Sequence, residues 1–135
     1  MKFKFFRLTI SVLFLFFTSC NDYIKTPANT EREKEFFNQL NKKYHCHTSK
    51  RLETQDIEKD SATTNYVLFL DSIQSFDHLK DSFKLISFSI AKDLHQKVLG
   101  ADYKYRYSHI AVSFIQEMGG GQTAGDFIYS IRELE

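Results

Sequence analysis

The feature that most constrains the fold is an amphipathic helix pattern that lies between two strand-like segments. Apolar residues recur there at spacings of four, three, four and four, the period of one helix face. Ser75 can cap such a helix and Gly100 can end it. Because an amphipathic helix must bury its apolar face, the pattern predicts a helix packed on a sheet. The apolar positions are Leu79, Phe83, Ile86, Ile90 and Leu94.

Four segments are candidates for the strands of that sheet. Asn65–Asp71 is a continuous β-branched and aromatic run, which predicts a central strand. Tyr105–Gln116 alternates between apolar and polar residues, and Asp126–Leu134 follows a triple glycine. These two segments predict a hairpin with a long loop. Leu52–Glu58 has the weakest pattern and is interpreted as an edge strand.

A further helix is predicted over Glu31–Tyr44, ahead of all the strands. Thr30 followed by Glu33 is a capping box, and Phe36, Phe37, Leu40 and Tyr44 fall on one helical face. The element order is then α-β-β-α-β-β. We expect a single α+β domain over residues 31–135, folded as a two-layer sandwich. In it a four-stranded, mostly antiparallel sheet carries two helices on one face.

The segment Tyr105–Gln116 presents two faces of different character. One face carries Ile110, Val112 and Phe114, which we expect in the core against Phe83, Ile86 and Ile90. The opposite parity carries Tyr105, Tyr107 and His109, which are then expected on an outer face open to solvent. Large amphipathic side chains dominate many interfaces, so this second face is a candidate binding surface.

Residues 1–19 have a composition unlike that of the rest of the chain. Lys2, Lys4 and Arg7 precede an apolar run from Leu8 to Phe17. A membrane-spanning helix needs about 20 apolar residues, so this run is too short to be one. Positive residues followed by a short apolar run are typical of a secretory signal peptide. An ordinary cleavage site of small residues is missing, since the first alanine is Ala28.

The sequence Phe17-Thr18-Ser19-Cys20 at the end of this run resembles the lipobox of bacterial lipoproteins, with Phe17 where leucine is usual. The resemblance implies that Cys20 receives a diacylglyceryl group, that the chain is cut before it, and that its new amine is acylated. Two or more acyl chains anchor a protein stably without spanning the membrane. Residues 20–30 are then a lipidated tether, and Asn21 after the cysteine implies delivery to an outer membrane where the host has one.

Charge and cysteine content exclude several classes of protein. The net charge is +1, and the three basic residues of the signal leave 15 basic against 17 acidic residues in the mature chain. No basic stretch is concentrated, so we expect no nucleic-acid partner. If Cys20 is lipidated, Cys46 has no cysteine left to pair with.

Two short motifs could carry chemistry. His45-Cys46-His47 could place two imidazoles on one face of an extended segment, with His109 or a carboxylate completing a metal site. Cys46 beside a histidine could also be a thiol nucleophile. Gly119-Gly120-Gly121-Gln122-Thr123-Ala124 matches the dinucleotide fingerprint only in letters, because no helix pattern or second strand follows it. We therefore interpret it as a hairpin tip and expect no cofactor.

The function that these features predict is a lipid-anchored binding module of the cell envelope that is not an enzyme. Its partners would be the membrane, through Cys20, and a further envelope protein. The alternative is an envelope enzyme or metal-binding protein that uses His45, Cys46 and His47.

Overall fold

The polypeptide follows the predicted order α-β-β-α-β-β. The computed structural model describes residues 26–55, 63–103, 106–118 and 121–135. Its helices and strands are α1 (Glu31–Tyr44), β1 (His47–Gln55), β2 (Thr63–Asp71), α2 (Phe76–Leu79), α3 (Phe83–Asp93), β3 (His109–Met118), β4 (Gly121–Ser130) and α4 (Ile131–Leu134). The signal and lipobox residues lie outside the described residues. In the part that is described, no helix has the length and hydropathy needed to cross a membrane.

The four strands form one mixed sheet in the order β1-β2-β3-β4. The outer pairs β1/β2 and β3/β4 are antiparallel, while the central pair β2/β3 is parallel. Parallel neighbours need a crossover connection, and the helical segment between β2 and β3 supplies it. The predicted α+β class and the four-stranded, mostly antiparallel sheet are confirmed.

The core lies between one face of this sheet and the helices α1 and α3. Ile110, Val112 and Phe114 are at most 1% exposed, and the rings of Phe83 and Phe114 stack with centroids 4.1 Å apart. Phe37 and Leu40 of α1 join the same cluster. The predicted core face of the third strand is therefore confirmed, and both helices cover that face.

Helix α1 has the predicted bounds and the predicted cap. The Thr30 hydroxyl accepts from the Glu33 amide at 3.2 Å, and the Glu33 carboxylate accepts from the Thr30 amide at 2.6 Å. The second predicted helix is less regular, because a 3₁₀ turn over Lys80–Ser82 separates α2 from α3 and a wide π-helical turn over Leu94–Leu99 follows α3.

Several predicted strand boundaries were wrong. Strand β1 covers His47–Gln55 rather than Leu52–Glu58, and β3 begins at His109 rather than Tyr105. The loop of the hairpin is short, since β3 and β4 pair as far as Met118 and Gly121. Strand β4 ends at Ser130, whose hydroxyl and amide both donate to the Glu133 carboxylate. This capping box turns the last residues into the short helix α4.

Candidate functional site

A buried ion pair joins the start of α1 to the sheet. Glu33 is in the first turn of α1 and Lys50 lies on β1. The Lys50 Nζ atom is 2.8 Å from both carboxylate oxygens of Glu33, and the two side chains are 2% and 0% exposed. Lysine and glutamate are almost never fully buried unless they are paired, so this contact is a buried pair of charges that needs further partners.

Further hydrogen bonds complete the coordination of both charges. The Tyr66 hydroxyl donates to Glu33 at 2.8 Å, in addition to the amide of the helix cap. Lys50 also donates to the Ala28 carbonyl at 3.4 Å and to the Tyr103 hydroxyl at 3.5 Å. A buried ion pair is tolerated when such bonds satisfy its remaining donors and acceptors. The pair therefore links the tether, α1, β1 and β2.

The protonation states follow from these contacts. Burial raises the pKa of Glu33, but the hydrogen bonds from Lys50, Thr30 and Tyr66 and the Lys50 charge outweigh it, so the pKa is lowered overall. Burial, and then the neighbouring Glu33 carboxylate, raise the pKa of Tyr66. Glu33 is accordingly charged at neutral pH, and Tyr66 is a neutral donor.

Three tyrosine rings extend this cluster away from the ion pair. The centroids of Tyr66, Tyr103 and Tyr107 are 5.9, 6.1 and 6.3 Å apart in edge-to-face arrangements. The Tyr107 hydroxyl is 2.9 Å from the Nδ1 atom of His95, and burial raises its pKa to about 12. The Lys50 ammonium is 5.9 and 5.8 Å from the ring centroids of Tyr66 and Tyr103, within cation–π range.

A cleft of about 460 Å³ opens beside this cluster. Its walls come from the end of the tether, the start of α1 and the segment after α3. They include Pro27, Ala28, Thr30, Arg32, Val98, Leu99, Asp102 and Tyr103. Mostly apolar walls with a few polar groups, in this size range, are typical of a site for a small ligand. Tyr103 connects the cleft to the buried ion pair, since its side chain contacts both.

The metal hypothesis required His45 and His47 to share one face of a strand. The structure does not place them so. His45 has a left-handed backbone conformation at the end of α1, with φ 49°, and only His47 belongs to β1. Both residues are exposed. Across the described residues, no group of three or more His, Cys, Asp and Glu side chains is arranged to hold a metal ion.

The thiol of Cys46 is half-buried at the same corner. Its Sγ atom lies 3.7 Å from the Leu40 carbonyl and 3.8 Å from the Thr48 hydroxyl. Burial, and to a lesser extent the charge of Asp71, raise the pKa of the thiol. A nucleophilic cysteine needs a lowered pKa, so these surroundings favour an inert thiol.

The candidate surface of Tyr105, Tyr107 and His109 is not one strand face. Tyr107 precedes β3, so strand alternation does not apply to it, and its side chain packs against the core instead. His109 is the first residue of β3, and its Nδ1 atom is 2.9 Å from the Ser108 hydroxyl. Tyr105 lies outside the described residues. The expectation that Tyr107 lies on an outer face was wrong, because the strand begins two residues after it.

Sequence reasoning identified Glu33 only as a cap and missed its partners. Lys50 and Tyr66 lie 17 and 33 positions further along the chain, a separation that no local pattern reports. One signal was present in principle: within a strand covering residues 47–55, Lys50 has the same parity as the buried Leu52. A lysine at a core-facing position requires a buried partner.

Comparison of the chain with protein-family models, with curated proteins and with solved structures finds no match. The functional argument therefore depends on the residues of this chain.

Proposed function

We propose that the chain is the precursor of a lipid-anchored protein of the bacterial cell envelope, whose domain binds another envelope component and catalyses no reaction. The observation that carries this proposal is Phe17-Thr18-Ser19-Cys20 at the end of a short apolar run with a basic start. That order of features is typical of export, and the cysteine at its end is what the resemblance to lipoproteins implies for lipidation.

The folded domain begins close to the proposed anchor. Between Cys20 and Pro27 the chain can span at most about 25 Å. The last tether residues are held to the domain, because the Ala28 carbonyl accepts from Lys50 and the Thr30 amide donates to Glu33. We therefore expect the cleft, which Pro27 and Ala28 line, to lie near the proposed anchor.

The cleft is the binding site that the geometry favours. Its apolar walls suit an apolar group, and the exposed Arg32 and Asp102 at its rim can orient polar parts of a ligand. The neighbouring ion pair is saturated with internal hydrogen bonds, which supports a structural role for it. Since the Cys46 thiol has a raised pKa and the histidines beside it have no third ligand among the described residues, no observation favours the enzyme or metal alternative.

The anchor is tested by metabolic labelling with a fatty-acid probe in a bacterial host. We expect the wild-type chain to take up label and Cys20→Ala to take up none, because the Cys20 thiol is the proposed acceptor. Cys46→Ala is the matched control and should be labelled like the wild type. An unlabelled wild type, or a labelled Cys20→Ala, would contradict the lipoprotein proposal.

The cleft is tested by filling it. Ala28→Trp places a large ring at the cleft wall while leaving the backbone carbonyl that Lys50 contacts. Asn29→Trp adds the same ring at the next exposed position and serves as the control. Components that co-purify with the native lipidated protein from its own envelope should be lost selectively from Ala28→Trp. Equal recovery with both variants would rule out the cleft as the binding site.

A further inference from the structure

The helices on the sheet form a layer whose surface is net basic. This helix layer consists of α1 and of the helical residues 76–99, which cover the same face of the sheet. The surface of α1 carries four basic and two acidic residues, since the carboxylate of Glu33 is buried. Residues 76–99 carry four basic and three acidic residues. Both parts of the helix layer therefore contribute a positive charge.

The outer face of the sheet, which turns away from the helices, has the opposite sign. Alternation places on it the odd-numbered residues of β1, β2 and β3 and the even-numbered residues of β4. Among the side chains that the structure describes there, one is basic and three are acidic. They are Arg51, Glu53, Asp71 and Asp126. The two faces of the domain therefore carry opposite net charges.

The helix layer also exposes two large apolar side chains. Leu85 is 78% exposed and Phe88 is 37% exposed, both on α3. Phe83 and Ile90 are buried and mark the side of α3 that faces the sheet. Leu85, Phe88 and Lys92 follow one another at spacings of three and four, so they share the outer side of the helix. An apolar pair and a lysine thus project from the helix layer together.

The charges next to this apolar pair are mainly basic. Lys84 lies one helical turn before Phe88 and Lys92 lies one turn after it, and both lysines are exposed. The acidic residue Asp81 lies in the 3₁₀ turn ahead of α3, where Lys80 offsets its charge. The two lysines of α3 that flank Phe88 therefore leave a net positive charge beside the exposed apolar side chains.

Apolar side chains flanked by lysines are suited to the surface of an anionic bilayer. Apolar groups of such a helix enter the headgroup region, while the lysines stay beside the lipid phosphates. The tether joins the domain in the same layer, because Thr30 caps α1. Between Cys20 and Pro27 the chain spans at most about 25 Å, which keeps the helix layer within reach of a bilayer that holds Cys20.

We propose that the helix layer lies against an anionic phospholipid bilayer, with Leu85 and Phe88 in the headgroup region and the outer face of the sheet turned away. This orientation rests on the proposed lipid at Cys20, which brings the domain to the bilayer. The opposite charges of the two faces select which one approaches the anionic surface, and the exposed apolar pair lies on the face that is selected.

The orientation is tested with the full lipidated chain in vesicles of phosphatidylglycerol and phosphatidylcholine. Ser89→Cys on α3 and Ser49→Cys on the outer face of β1 are a matched pair, because both serines are exposed. Each is combined with Cys46→Ala and labelled with a fluorophore that doxyl-labelled phospholipid quenches on contact. We expect severalfold stronger quenching for the label at Ser89→Cys than for the label at Ser49→Cys.

Further substitutions in the Ser89→Cys chain separate the apolar from the electrostatic contribution. Leu85→Ala should reduce the quenching, whereas Ile128→Ala should not, because Ile128 is 59% exposed on the outer face of the sheet. Lys84→Gln and Lys92→Gln should each shift the equilibrium from docked to free domain by about fivefold, the contribution of one lysine near an anionic surface.

The possible failures of this experiment can be told apart. Equal quenching of the two labels on vesicle-bound protein would overturn the orientation and leave the anchor intact. Quenching at Ser89→Cys that is as strong in vesicles of phosphatidylcholine alone would overturn the anionic lipid as the partner. Equal effects of Leu85→Ala and Ile128→Ala would overturn the apolar contact. A chain that does not float with the vesicles would overturn the anchor, and the orientation with it.

Discussion

At the scale of single residues, the Glu33 carboxylate makes one contact with a residue close in sequence and one with a distant residue. One of its oxygens closes the capping box with Thr30, three residues away, and both oxygens contact Lys50 on the sheet. The cap sets where α1 begins, and the ion pair sets where that start lies against β1. A single side chain thus couples the helix boundary to the packing of the helix.

Removing the cation from this pair should be costly. Lys50→Met keeps the length and apolar stem of the side chain but leaves the Glu33 carboxylate buried without its charge partner. Breaking a buried pair in this way costs about 3–5 kcal/mol of unfolding free energy. The measurement is urea denaturation followed by circular dichroism.

Lys34→Met is the matched control for that experiment. Lys34 makes the same type of ion pair with Glu31, but the two side chains are 55% and 88% exposed. Exposed pairs contribute about 0–1 kcal/mol, so this variant should unfold close to the wild type. Similar small costs for both lysines would show that the buried pair does not hold α1 to the sheet.

At the scale of elements, alternation predicts side-chain direction only inside the strand that has it. Ile110, Val112 and Phe114 lie within β3 and occupy the core as their parity requires. Tyr107 lies outside β3, and the contacts of its hydroxyl with His95 and of its ring with Tyr66 decide its position instead. An error of a few residues in a strand boundary is enough to misplace a side chain by a whole layer.

The core face of β3 can be tested with Phe114→Ala. The ring of Phe114 is 1% exposed and stacks on Phe83, so the substitution leaves a cavity and should cost roughly 3–5 kcal/mol. Leu85→Ala removes a large apolar side chain that is 78% exposed, and it should shift stability by about 0.5 kcal/mol or less. Thermal and urea denaturation of both variants provide the comparison. A larger loss of unfolding free energy in Leu85→Ala than in Phe114→Ala would contradict this packing, because it would mean that α3 turns its Leu85 side towards the core.

At the scale of the whole molecule, the ion pair makes the stability of the domain depend on pH. The folded-state pKa of Glu33 is lowered from its ordinary value of 4.5. A lowered pKa contributes stability that is complete above that ordinary value and is lost as pH falls through the folded-state pKa. Acid should therefore weaken the contact between tether, α1 and sheet.

The expected acid response separates Glu33 from its exposed neighbour. Glu33→Gln should be less stable than the wild type at pH 7, and the difference should narrow as the pH falls below the ordinary value of 4.5 and through the lowered folded-state pKa, where the wild-type carboxylate becomes protonated. Glu31→Gln, at an exposed position, should follow the wild-type profile. Urea denaturation across this range is the measurement. A constant difference between wild type and Glu33→Gln would contradict the assigned charge state.

The sequence alone determined the order of the local elements and the position of some of them. Helical periodicity and the capping box defined α1 at both ends, and the apolar run Asn65–Asp71 marked the central strand β2. Alternation in β3 identified its core face. These features could be predicted because hydrogen bonds and side-chain spacing within a helix or strand involve residues that are close in the chain. The lipobox resemblance is local in the same sense.

Only the tertiary structure decided which distant residues meet. The parallel register of β2 and β3, the contact of Glu33 with Lys50 and Tyr66, and the common layer of α1 and α3 all depend on how whole elements pack. Local patterns do not report these contacts, since the same amphipathic helix can be placed on a sheet in several ways. The burial of a charged pair distinguishes one arrangement, because only there do both charges have their partners.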